Sequence, residues 1–119
     1  VSVAAIKASY RTNLQKYGES ITVRRYSGTG GSRTSTDYEA RARVTEAQAS
    51  ELIGNLQQAV RKIIILAEDL EAEGFSFPMV ANGNDKIVVR GKEMTVTAVD
   101  DNTRRVQGVL IALDVTVSG

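Results

Sequence analysis

Arg61-Lys62-Ile63-Ile64-Ile65-Leu66-Ala67-Glu68-Asp69-Leu70 is the stretch on which the fold turns. Two readings compete for it. Leu56, Val60, Ile63, Ile64, Ala67 and Leu70 recur at helical spacing, and Gly74 stands where a helix would stop. That reading gives one helix over 56–73. Against it, Val60 and the run Ile63-Ile64-Ile65 are β-branched. Such side chains lose rotamer freedom in a helix and pack well on a pleated surface. The preferred reading is therefore a strand over 57–67, buried on both faces. A short helix follows over 68–73, where Glu, Asp, Leu and Ala take over.

Upstream, Val3, Ile6, Tyr10, Leu14 and Tyr17 fall three or four apart and draw one apolar stripe, so residues 2–17 read as a helix capped by Ser2 and ended by Gly18. The stripe packs either on the body of the domain or on a neighbouring subunit. The period then changes to two. Ile21 and Val23 share one face, and Thr22, Arg24 and Tyr26 the other. Residues 27–36 are rich in Gly, Ser and Thr and read as a flexible loop. Strand character returns with Tyr38, Ala40, Ala42 and Val44 on one face, completing a long hairpin, and 46–55 is a connector.

Downstream, Phe75-Ser76-Phe77-Pro78 is an apolar corner and 82–85 a turn. Lys86–Arg90 and Glu93–Val99 read as strands joined by a Gly91-Lys92 turn of the Gly-X type. Residues 100–103 turn again. The last strand runs from Val109 to Val117, with Val109, Ile111, Leu113, Val115 and Val117 on one face. The expectation is a mainly β domain over 1–119: an N-terminal helix (1–18) and a small antiparallel β-barrel of about six strands (19–119). The barrel carries the flexible loop 27–36 and a short helix after its third strand. Closure suits such a sheet because it removes exposed edges.

Composition excludes much. The 119 residues are 42% hydrophobic and 24% charged, which is ordinary for one globular domain. With no Cys and no His, thiol nucleophiles, zinc thiolate sites and the commonest general base are absent. The longest apolar run, Ile63–Ala67, is far too short to span a bilayer, and from Val1-Ser2-Val3, with no basic-then-apolar pattern, no secretion signal is expected. Asp100-Asp101-Asn102 lacks the spacing and closing Glu of a calcium loop. Gly28-Thr29-Gly30-Gly31-Ser32 lacks the Gly-Lys-Ser/Thr of a phosphate cradle and precedes no helix. The run Glu68, Asp69, Glu71 and Glu73 reads as a solvated helix face. No catalytic residue, metal or cofactor is expected.

The net charge of +1 hides an asymmetry. Residues 1–26 carry Lys7, Arg11, Lys16, Arg24 and Arg25 against Glu19, a net +4. Residues 51–78 carry Glu51, Glu68, Asp69, Glu71 and Glu73 against Arg61 and Lys62, a net −3. Complementary segments suit head-to-tail contact between identical subunits; scattered solubilising charge explains them equally. Arg24, Arg25, Tyr26, Arg33, Tyr38, Arg41 and Arg43 lie on or between two strands, as in an oligonucleotide-binding barrel, although Glu39 offsets part of their charge and tryptophan is lacking.

One pattern in the second half has a family look. The strand Arg61–Ala67 is followed by Glu68-Asp69-Leu70 and a corner ending in Phe77-Pro78. Next come Gly83-Asn84-Asp85-Lys86-Ile87-Val88-Val89-Arg90-Gly91-Lys92, Met94-Thr95-Val96-Thr97-Ala98-Val99, and a closing Val109–Val115. This layout resembles the small head–tail connector proteins (head-completion, stopper or joining proteins) of long-tailed bacteriophages, prophages and gene transfer agents. The resemblance covers about 55–117. Asn84 separates Gly83 from Asp85, where the family often has Gly-Asp. The resemblance implies a small β-barrel that forms a homo-oligomeric ring, sixfold or twelvefold, under the portal or adaptor. Such a ring holds packaged DNA with non-specific contacts and docks the tail terminator or tail tube. It implies a virion neck component assembled in the bacterial cytoplasm, without membrane. A tail-terminator role and an oligonucleotide-binding barrel are the alternatives. On this reading Ile6, Tyr10, Arg11, Leu14, Arg33, Glu68, Asp69, Glu71 and Glu73 are subunit- or partner-interface candidates. Arg24, Arg33, Arg41 and Arg43 are candidates to face the DNA channel. A flexible loop also predicts that trypsin nicks the folded chain early near Arg33; the masses of the first fragments report the site.

Overall fold

The computed structural model describes residues 2–28, 30–46 and 60–118. Helix α1 (Val3–Tyr17) begins where Ser2 Oγ accepts from Ala5 N–H (3.1 Å) and ends where Gly18 N–H donates to the Leu14 carbonyl (2.9 Å). Strands β1 (Glu19–Ser27) and β2 (Thr34–Glu46) pair antiparallel from Glu19↔Ala42 to Ser27↔Thr34. The connection is thus 28–33, with a 3₁₀ turn at Gly30–Ser32, and not the ten-residue loop 27–36. Ser27 and the Thr34-Ser35-Thr36 run belong to the strands although their composition is loop-like. The hydroxyls of Ser27 and Thr34 bond across the pair at 3.1 Å.

The β-branched run decides the contested stretch. Strand β3 (Val60–Leu66) leads into α2 (Ala67–Ala72), so a single helix over 56–73 is excluded. The expected start at 57, like most of the connector 46–55, lies outside the described residues. Ile63 and Ile65 point into the barrel, while Leu66 is buried outside that main cluster, which gives the two-sided burial the composition required.

Strands β4 (Asp85–Val89) and β5 (Lys92–Asp100) are joined one residue earlier than expected. Val89 pairs with Lys92, so the turn residues are Arg90 and Gly91, with φ of +50° and +81°. Positive φ at both centres is the primed turn whose twist matches a hairpin. A bulge around Thr97 shifts the register between Val96 and Ala98, so Val99, not Ala98, packs against the core. The expected last strand also breaks. Residues Arg105–Val106 (β6) and Val109–Leu110 (β7) form a separate small hairpin, and β8 is Ala112–Ser118. Val109 is exposed, whereas Ile111, Leu113, Val115 and Val117 are buried as expected. The two-residue turn Gln107-Gly108, again at positive φ, explains the break.

The fold is mainly β: a closed antiparallel barrel in the order β1-β2-β3-β8-β5-β4, with an N-terminal helix and a short helix after the third strand. Aliphatic side chains from all six strands fill it, and Leu70, Phe75 and Met79 join the same cluster. Leu14, Leu66, Ala67, Ile111 and Ala112 are buried outside that cluster, where α1 lies against the barrel wall.

Gly18 sits at the joint between α1 and β1 with ordinary φ, so its role is space. An added Cβ would collide with the Leu14 carbonyl and come within 2.6 Å of the Ala42 carbonyl. Both obstacles are backbone. Gly18→Ala is expected to destabilise the domain by about 1–3 kcal/mol in urea unfolding, the range for overpacking.

Candidate functional site

Alternation along β1 puts Arg25 on the same face as Ile21 and Val23, at one end of the barrel. Its guanidinium donates to Asp85 through Nε (2.7 Å) and Nη2 (2.9 Å). The remaining reach goes to the carbonyls of Ser76 (2.6 Å) and Pro78 (3.0 Å), and the group lies over the Phe75 ring at 4.2 Å. Asp85 is 2% exposed, and its Oδ2 also accepts from Val80 N–H at 2.8 Å. Arg25 thereby ties β1, the 75–80 corner and β4 together. Phe75 stacks edge-on with Tyr38 and Phe77 at 5.0 and 5.2 Å. Beside this lock is an open groove of roughly 430 Å³ lined in part by Tyr26, Phe77, Val80 and Asn84. Its one cation is committed within the chain, held charged above the usual arginine range chiefly by its hydrogen bonds to Asp85. In the sequence Asp85 reads as a turn residue and Arg25 as one of a row of basic side chains on two strands, and nothing there pairs the two. The available signal was parity: a charged residue two places beyond Val23 falls on the buried face.

Several of the expected interface residues are engaged within the chain itself. Arg11 Nη2 reaches Asp69 Oδ1 at 2.9 Å and Glu68 Oε2 at 3.8 Å. Leu14 is buried against the chain's own barrel, and Ile6 and Tyr10 are half-buried. Tyr10 Oη accepts from Arg104 Nη1 at 3.0 Å, and Arg104 lies 3.7 Å from Asp114. The apolar stripe of α1 thus packs on the body of the domain from Val3 to Leu14, while Tyr17 at its end is exposed. The acidic helix α2 faces the edge of β2. Asp69 Oδ2 accepts from Arg41 N–H (2.9 Å) and Glu73 Oε1 from Glu39 N–H (3.1 Å). Only Glu71 of the four acids has no such role among the described residues, and it is exposed.

The four arginines proposed to face DNA do not form one patch. Arg41 turns beneath the end of α1 and donates to the carbonyls of Leu14 (2.9 Å), Gln15 (3.0 Å) and Gly18 (3.0 Å), where a cation also suits the helix dipole. Arg24 grips Asp37 with two bonds (2.9 and 3.2 Å) and touches Glu93 at 3.4 Å. That hydrogen-bonded pair raises the Arg24 pKa and holds the Asp37 carboxyl below its usual range. Tyr26 Oη donates to the same Glu93. Arg33 lies 4.0 Å over the Tyr26 ring and has no carboxylate partner among the described residues; neither has Arg43, which is exposed. Two of the four cations are therefore neutralised or buried in structural roles. Among the described residues no group of three or more Asp or Glu is arranged to hold a metal ion.

No protein-family model matches the chain, and no curated protein matches it. The site residues therefore stand on geometry alone.

Asp85→Ala leaves the Arg25 guanidinium without its carboxylate in a largely enclosed place. Removing one partner of such a pair costs about 3–5 kcal/mol, read from the shift of the unfolding midpoint. At the end of β5, Asp100 accepts from Thr103 Oγ1 (2.7 Å) and from the amides of Asn102 and Thr103. These bonds, led by the Thr103 hydroxyl, lower its pKa. The stabilisation is present above the usual Asp pKa of about 3.9 and lost as pH falls through the lower folded value. An NMR titration should show Asp100 deprotonating below the ordinary range, with Thr103→Val moving it back up.

Proposed function

We propose that the chain is a non-enzymatic structural part of the neck of a tailed bacteriophage, prophage or gene transfer agent particle. In this role it forms a ring under the portal or adaptor, retains packaged DNA and docks the tail. The observation that carries the reading is the placement of the segments bearing the family resemblance. They fall on β3, α2, the β4–β5 hairpin, β7 and β8; β3, β8, β5 and β4 stand side by side in one closed barrel, while β7 belongs to the separate small hairpin. A closed barrel with a helix on its outer wall, and among the described residues no group of three or more acids placed to hold a metal ion, suits a building block. A ring requires heterologous contact, one patch against a different patch on the next copy. Arg11, Glu68 and Asp69 are largely engaged within the chain, so Arg33, Glu71 and the exposed rim of α2 are the better candidates for contact between copies. Of the four arginines expected to face DNA, Arg33 and Arg43 are the two without a carboxylate partner among the described residues, and a DNA backbone needs only a few such cations.

The oligonucleotide-binding alternative has less support. Its expected row of basic and aromatic side chains is interrupted by Asp37, Glu39 and Glu93, and Arg41 is turned under α1.

The test is genetic and structural. Deleting the gene should give heads that fail to keep DNA beside free tails of normal length. Imaging of intact particles should place the barrel in a sixfold or twelvefold ring at the neck. Normal tailed particles from the deletion, or tails of uncontrolled length, would overturn the connector reading.

A further inference from the structure

Strand β2 is longer than the partners that flank it. Along 34–42 it pairs with β1, and only from Ala42 onward does it pair with β3. Over 34–41 the odd-numbered residues turn their backbone groups away from β1. Two of these amides are covered by α2: Arg41 N–H by Asp69 and Glu39 N–H by Glu73. Ser35 and Asp37 have the same parity, and among the described residues no backbone group or carboxylate meets their outward amides. Residues 34–37 are exposed, and the edge carries one charge, Asp37, already paired with Arg24.

We propose that this open edge pairs antiparallel with the same edge of a second copy of the chain, about a twofold axis at Thr36. The register follows from which amides are free. With the axis at Thr36, Ser35 faces the partner's Asp37 and Asp37 faces the partner's Ser35. Both are hydrogen-bonded pairs, each exchanging two N–H···O bonds. Sliding the axis to Ser35 would require Arg33 N–H, which already donates to the Gly30 carbonyl at 3.2 Å. Sliding it to Asp37 would set two carboxylates opposite each other and require Glu39 N–H, which Glu73 already holds. The Thr36 register also places complementary side chains. Arg33, a cation with no carboxylate partner among the described residues, comes opposite the partner's Glu39 and close to the partner's Glu73 at the end of α2. Thr34 comes opposite the partner's Tyr38, and Thr36 opposite its own copy. A twofold contact closes on itself and uses one patch of each molecule. It leaves the rest of the surface for a ring, so the inference does not rest on the connector reading.

Sedimentation equilibrium on the full chain tests it. The wild type is expected to populate a dimer as concentration rises to the submillimolar range, less so at high salt. Ser35→Pro removes a free edge donor without breaking a bond inside the chain, a place where a strand tolerates proline. It should leave circular dichroism unchanged and weaken dimerisation at least about tenfold. Arg33→Glu and Glu39→Arg should each weaken it, and the double exchange should restore it. A wild type that stays monomeric, or a folded Ser35→Pro chain that associates as the wild type does, would overturn the proposal.

Discussion

The barrel depends on a handover within β2. Its first part belongs to β1, its last part to β3, and the two meet at Ala42, which pairs with both Glu19 and Ile65. That stagger is what lets six strands curl into a closed wall. It demands small residues at the crossing. Ala42 is fully buried, Ala40 nearly so, and Gly18 passes against the Ala42 carbonyl. A larger side chain at either place would hold the helix away from the wall or the two halves of the sheet apart. Among the described residues the stagger also leaves β2 without a strand on one side over its first part. Asp69 and Glu73 fill that side as far as Glu39, and no backbone group or carboxylate of the described residues meets the outward amides of Ser35 and Asp37.

Seen from this constraint, the charged residues sort themselves. Arg41 ends α1, Arg11 joins α1 to α2, and Asp69 and Glu73 cap the β2 edge. Arg25 and Asp85 close one end of the barrel. Of the opposite charges in residues 1–26 and 51–78, Arg11 pairs with Asp69 and Glu68 and fastens α1 to α2, while Arg24 and Arg25 pair with Asp37 and Asp85 elsewhere on the barrel. What remains outward is a modest set, with Arg33, Arg43 and Glu71 the clearest members.

Much of the fold was legible because β-branched residues and strict alternation speak locally. Ile63-Ile64-Ile65 outweighed a helical spacing that was coincidental, and Leu113, Val115 and Val117 announced their buried face. Features set by register were not legible. The Arg90-Gly91 turn differs from the expected Gly91-Lys92 only in which residues pair, and the bulge near Thr97 has no residue signature of its own. The β6–β7 hairpin was hidden inside an apolar run that looked continuous. Contacts between distant charges were also invisible: Arg11 and Asp69 are 58 positions apart, and nothing local says that one is the other's partner. Arg25 was legible in principle from parity, yet a charge beside two strand residues is usually read as solvent-facing.

The handover at Ala42 is open to direct measurement by NMR. In the isotope-labelled chain, Ala42 Hα should show a strong cross-strand contact to Ile65 Hα, and Arg41 Hα one to Ser20 Hα. Amides of β3 and β8 should be among the slowest to exchange. Helical contacts three residues apart through Ile63–Leu66, with no Ala42–Ile65 contact, would contradict the closed barrel and everything built on it.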